Sequence, residues 1–183
     1  MEELRIAVII ASTRRGRFGP TVAGWFAAKA RRRVTVDLID LAETRLPETL
    51  EDTAPPAVAE LGLRLGEADG FVIVTPEYNH SFPAPLKTAL DWYFDEWHAK
   101  PVTFVSYGRE TGGHLAVAQL RQIFIELRAV PIRETVSLPN YWDLFAPDGG
   151  WPRAGADCEL AAKTTLDQLI WWAKALRTGR TTS

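Results

Sequence analysis

A single cysteine, Cys158, stands among 183 residues. It leaves no partner for an internal disulfide, no CxxC redox pair and no multi-cysteine zinc site. Histidine is nearly as scarce, with only His80, His98 and His114. No GxSxG, HExxH or paired-carboxylate spacing is present, so the common hydrolase and metalloprotease patterns lack their residues. Charge of one sign is missing too. The 21 Lys+Arg and 23 Asp+Glu nearly cancel, at a formal net charge of −2, without the basic surplus of a dedicated nucleic-acid binder. No apolar stretch approaches the roughly 20 residues of a membrane helix. The N-terminus, MEELRIAVIIASTRRG, puts two acids before a short apolar run, where a secretory signal wants basic residues first. The expectation is a soluble, cytoplasmic protein with neither a nucleic-acid nor a membrane partner, and without a metal site.

What the chain does have suits one ordinary domain spanning residues 1–183. It is 46% hydrophobic and 24% charged, enough for a core and too apolar for wholesale disorder. No repeat or linker interrupts it. Instead, short apolar runs alternate with helical patterns. Strands are predicted over 4–11, 34–40, 70–75, 101–107 and, interrupted by Arg133 and Glu134, 131–138. Helices are predicted over 20–33, 56–68, 83–97, 114–129 and 157–177. The Gly70–Thr75 run, GFVIVT, is apolar throughout, as in a strand covered on both faces. Five strands alternating with five helices make a doubly wound α/β sheet, whose ligand site lies beyond the carboxyl ends of the strands.

Three loops follow strands there. The first, Ser12-Thr13-Arg14-Arg15-Gly16-Arg17-Phe18-Gly19, brings two hydroxyls and three guanidinium groups to a helix N-terminus, an anion site in outline. It is neither a P-loop nor a GxGxxG fingerprint, and one phosphate suits it better than a pyrophosphate. The second, Pro76-Glu77-Tyr78-Asn79-His80-Ser81-Phe82-Pro83, is framed by prolines. Its backbone groups lie beyond the strand ladder and are available to a planar heterocycle, although a rigid turn with a helix cap reads equally well. His80 reads as a hydrogen-bonding loop residue rather than a general acid. The third, Ser106-Tyr107-Gly108-Arg109-Glu110-Thr111-Gly112-Gly113, has glycines that permit close backbone approach to a flat ligand.

With these residues in place, the chain resembles the NADPH-dependent FMN reductase family, which includes azo-dye, quinone and chromate reductases. Three stretches carry the resemblance: Ser12–Arg17 with Val22-Ala23-Gly24-Trp25, Thr75–Ser81 continuing through Pro83-Ala84-Pro85-Leu86-Lys87 to Leu90-Asp91-Trp92, and Ser106-Tyr107-Gly108 with Gly112-Gly113 and Gln119-Leu120-Arg121. The resemblance implies a flavodoxin-like, three-layer, five-stranded parallel sheet of order 2-1-3-4-5. It implies non-covalent FMN, with NADPH or NADH as co-substrate and a flavin, quinone, azo compound or metal oxyanion as acceptor. It places Ser12, Arg14 and Arg17 on the FMN phosphate, with Gly19 among the cofactor-binding residues. Pro76, Glu77, Tyr78 and Asn79 would border the isoalloxazine, and Ser106, Gly108 and Gly112 its other edge. No side chain is implied as an essential acid or base; the chemistry is the flavin's. The alternative is an FMN-binding carrier or regulator without its own NADPH turnover.

Seven tryptophans remain to be placed. Trp25 and Trp171 fall on the apolar faces of the first and last predicted helices and read as core, with Trp172 on a flank. Trp92, Trp97, Trp142 and Trp151 fall near or after the three loops. They point to an aromatic surface covered by a partner subunit, in a homodimer or homotetramer, or by a flat acceptor.

Overall fold

The computed structural model describes residues 3–153 and 156–182. A parallel sheet runs β2 (Thr35–Asp40), β1 (Arg5–Ile10), β3 (Gly70–Pro76), β4 (Pro101–Gly108), then β5 (Val130–Pro131). A further short strand, β6 (Val136–Pro139), also pairs with β4 in parallel. The predicted fifth strand is therefore two pieces on one edge. Its interruption at Ile132–Thr135 lets Arg121 donate to the carbonyls of Ile132 (2.7 Å) and Arg133 (3.0 Å) instead of a neighbouring strand.

Helices cover both faces. Ile6, Val8 and Ile10 of β1 point to one side, toward α1 (Gly19–Ala30) and α6 (Cys158–Thr182). Ala7 and Ile9 point to the other, toward α3 (Pro56–Glu67), α4 (Ala84–Trp92) and α5 (His114–Glu126). This alternation gives a strand two buried faces, and β1, β3 and β4 are almost wholly buried, whereas edge strand β2 is half open. The flavodoxin-like order and layers are as the resemblance implied.

Local differences have local causes. The segment between the predicted strand over 34–40 and helix over 56–68 opens with a single helical turn, α2 (Leu41–Thr44), because the Asp40 carboxylate accepts from the Ala42 amide at 3.0 Å. The helix predicted through Trp97 ends at Trp92, and a 3₁₀ turn, Asp95–Trp97, follows. That turn carries Trp97 into the core, 1% exposed, against Phe71 and Phe124, so Trp97 is no part of an aromatic surface. Trp171 is exposed instead, at 60%. The buried stripe of α6 is Leu166, Leu169, Ile170 and Ala173. Trp171, about 100° further round from Ile170, faces outward. Among the described residues no helix is long and apolar enough to cross a membrane.

Candidate functional site

The site is built at the carboxyl ends of β1, β3 and β4. After β1, the Arg17 amide donates to the Arg14 carbonyl at 3.2 Å, closing a turn in which Gly16 takes φ +65°. Ser12 is fully buried, and its Oγ lies 3.0 Å from Tyr78 Oη, joining the first loop to the second. Arg17 bends inward. It donates from Nη1 to the Ser12 carbonyl (2.6 Å) and Asp40 Oδ1 (2.8 Å), and from Nη2 to Asp40 Oδ2 (2.6 Å). This two-pronged pair is mostly shielded from solvent. The guanidinium expected on a phosphate therefore has its charge committed to β2 and braces the loop. Arg14 and Arg15 are exposed and form no ion pair among the described residues. The free positive charge of the loop belongs to them.

After β3, Tyr78 and Ser81 exchange backbone hydrogen bonds of 2.8 and 2.9 Å across a tight turn. The central residues Asn79 and His80 both take positive φ, +50° and +63°, a mirror-image turn that asparagine tolerates well. Gln119 of α5 clamps the turn, donating to the His80 carbonyl (2.8 Å) and accepting from Ser81 Oγ (2.7 Å). After β4, Ser106 and Ser137 both donate to the Gly112 carbonyl, at 2.8 and 3.1 Å.

These loops enclose a cavity of about 410 Å³, within the usual range for small-molecule sites. Of the expected site residues, Ser12, Arg14, Arg17, Pro76, Glu77, Tyr78 and Gly108 line it. Gly19, Asn79, Ser106 and Gly112 do not; Gly19, Ser106 and Gly112 are buried behind the lining, and Asn79 is exposed in the turn. A Cβ at Gly19 would come within 2.9 Å of Ile10 Cγ2 and 3.2 Å of Tyr107 Oη, so glycine lets α1 start against the sheet there. Arg15, Gly16, Phe18, Tyr107, Arg109, Tyr141 and Trp142 also line the cavity. The resemblance names none of them as cofactor-binding, although Trp142 is expected on an aromatic surface near the loops. Tyr107 could have been found as the last aromatic of a strand beside the glycine loop. Tyr141 and Trp142 come from a 3₁₀ turn, Tyr141–Leu144, after β6. Their rings lie 5.0 Å apart, and Tyr141 stacks on Phe18 at 4.6 Å. Burial pushes the Tyr107 phenol above its ordinary pKa, and its Oη has no hydrogen-bond partner among the described residues. A larger groove, about 940 Å³, runs along α3, and none of the expected site residues lines it.

The NADPH-dependent FMN reductase family model matches residues 4–143, through all three loops and into the 3₁₀ turn. The chain belongs to this family. It is 36% identical over 149 residues to an NAD(P)H-dependent FMN reductase of Schizosaccharomyces pombe, covering 74% of each chain. It is 33% identical over 177 residues to a quinone reductase of Escherichia coli K12, covering 92% of this chain and 90% of that one. In fold it is similar to a flavoenzyme NAD(P)H:(acceptor) oxidoreductase of Paracoccus denitrificans, with a TM-score of 0.65, 23% identity and coverage of 96% and 98%. The cavity of this FMN reductase family member fits FMN on its own chemistry. Arg14 and Arg15 supply unpaired cations, Tyr107 an unpartnered buried hydroxyl, and Tyr78, Tyr141 and Trp142 ring surface for a flat heterocycle.

Proposed function

We propose that the protein is an NAD(P)H-dependent flavin oxidoreductase. It uses non-covalent FMN to pass reducing equivalents from NADPH or NADH to flavin, quinone, azo or metal-oxyanion acceptors. The observation that carries this reading is the convergence of three post-strand loops on one cavity, with free guanidinium groups and aromatic walls together. FMN, when bound, supplies the hydride and electron chemistry. The chain's part is to bind and orient. Arg14 and Arg15 attract the phosphate to the loop before α1, where helix N–H groups add to the field. Arg17 keeps that loop against β2 through Asp40. The Pro76–Tyr78 backbone and Gly108 border the ring, and Tyr141 and Trp142 exclude water from one side. No side-chain acid or base is required.

Trp142 and Phe145 remain 46% and 44% exposed on this rim. A homodimer or homotetramer that covers them, in a cytoplasmic setting, belongs to the same reading. A monomer by light scattering at micromolar concentration would remove the oligomer. The deciding experiment for function is the visible spectrum of protein reconstituted with FMN. NADPH added without oxygen should bleach the bound flavin, and a quinone should restore the colour. Retained FMN that NADPH cannot bleach would make the protein a carrier. Failure to retain FMN, with no NADPH oxidation by any of these acceptors, would overturn the reading.

A further inference from the structure

The N-cap of helix α5 is Gly113, which has φ +92° and no side chain to cap the first turn. A helix start leaves amide donors without intrahelical partners, and a capping oxygen ordinarily comes from the N-cap residue itself. Here it comes from another loop. Glu77 Oε2 accepts from the Leu115 amide at 3.0 Å, in the first turn of α5. Its other oxygen, Oε1, accepts from Thr111 Oγ1 at 2.8 Å, in the loop before α5. The Glu77 amide donates to the Tyr107 carbonyl at 3.0 Å, which fixes the glutamate's own backbone to the end of β4.

Glu77 also lines the cavity, and its Cβ lies 3.5 Å from where a Cβ on Gly108 would stand. Both carboxylate oxygens accept hydrogen bonds from the Thr111–Leu115 segment, so the side chain spans the two loops expected to border the flavin ring.

We propose that Glu77 is a positioning residue. Its carboxylate caps α5 across the fold, holds the glycine loop at a fixed separation from the Pro76–Ser81 loop, and keeps a negative charge at the flavin-facing wall. Its part in the site is thus carried by its side chain as well as its backbone. This rests on the proposed function for its link to flavin, whereas the capping role stands independently.

The two roles separate by substitution. Glu77→Gln keeps an acceptor for the Leu115 amide and can meet Thr111 with its amide, but it carries no charge. Glu77→Ala removes both the cap and the charge. In Glu77→Ala, FMN affinity, followed through the flavin fluorescence recovered on release, should fall at least tenfold. Hydrogen exchange at the Leu115 amide should accelerate at least tenfold without global unfolding. Glu77→Gln should bind FMN within about threefold of wild type and keep most of the Leu115 protection. Its flavin midpoint potential should nevertheless rise, because loss of a nearby negative charge favours the more negative, reduced flavin.

Unchanged Leu115 exchange in Glu77→Ala would overturn the cap. Glu77→Ala that binds FMN as wild type does would overturn the positioning role. A Glu77→Gln potential equal to wild type would overturn the charge role. Should Glu77→Ala fail to fold, Thr111→Val tests the same tether. It should weaken FMN severalfold, and wild-type affinity would count against the proposal. If the wild-type protein itself does not bind FMN, the functional reading fails, while the exchange measurement still decides the cap.

Discussion

Three arginines crowd the first loop, and their chemistry divides by what each side chain can reach. Arg17 lies near the carboxylate of Asp40, and both groups are largely sheltered, at 17% and 14% side-chain exposure. Removing one partner of such a pair leaves a charge in poor solvent, at a cost of roughly 3 kcal/mol. Arg14 and Arg15 have only solvent and the cavity mouth. Arg17→Ala should therefore act mainly on stability, lowering the urea midpoint of the flavin-free protein. Arg14→Ala should leave that midpoint unchanged and weaken FMN by about 10-fold or more, the value of a charge-assisted contact. Riboflavin, which lacks the phosphate, should bind wild type and Arg14→Ala alike. Equal loss of riboflavin and FMN affinity would place Arg14 away from the phosphate. The sequence shows why the loop is basic but not how the work is divided. The Arg17–Asp40 pair joins residues 23 positions apart, and only the parallel pairing of β1 with β2 brings Ile10 opposite Asp40.

The elements were legible wherever burial imposed one period over enough residues. Strands β1, β3 and β4 show as largely apolar runs, β4 broken only by Thr103 and Ser106, because both faces are covered. The loops after them stand out because proline, glycine and asparagine carry backbone constraints readable one residue at a time. The split edge strand and the 3₁₀ turn at Asp95–Trp97 depend on tertiary partners, and so does the cavity wall from Tyr141 and Trp142. Locally, the split shows only as the charged pair Arg133-Glu134 and the wall only as aromatic residues such as Trp142; the pairing and placement that complete them have no local signal. Glycines make the distinction testable. Gly113 has φ +92°, and a Cβ there would collide with the Ser106 side chain and approach the Tyr107 nitrogen at 3.1 Å. Gly113→Ala should destabilise the protein by about 2–3 kcal/mol. Gly24, exposed within α1, has nothing within 4 Å of the place a methyl group would take. Gly24→Ala should stabilise by about 0.5–1 kcal/mol, the difference in helix propensity. Thermal melts of the two variants should move in opposite directions, and a shared direction would refute the distinction.

At the scale of the whole molecule, the end of the sheet opposite the cavity is fastened by buried charge. Asp69, just before β3, accepts from the Arg5 amide (3.0 Å), Arg177 (3.1 Å) and Arg180 (3.2 Å), tying the last helix to the first strand. Beside it, Lys100 is 6% exposed and donates to the carbonyls of Leu65 (2.9 Å) and Gly66 (2.8 Å), closing the last turn of α3. Burial, helped by the nearby Arg180 charge, lowers the Lys100 pKa from 10.5 to about 8, against the smaller opposing pull of Asp69 and Glu96. Below about pH 8 the amine is protonated in both folded and unfolded chains, so its buried charge weighs against folding. Between about pH 8 and 10.5 the unfolded chain holds the proton and the folded chain has released it. The unfolded state then binds more protons, and stability rises with pH, by up to about 3 kcal/mol across the window. The neutral amine keeps its donors for the two carbonyls, so the gain does not come at the expense of the α3 closure. Lys100→Met removes the titration. Wild type should gain stability relative to Lys100→Met as pH is raised through this window, measured by urea unfolding at each pH. The two curves should run parallel below about pH 7, and parallel curves throughout would show that burial leaves the Lys100 amine unperturbed.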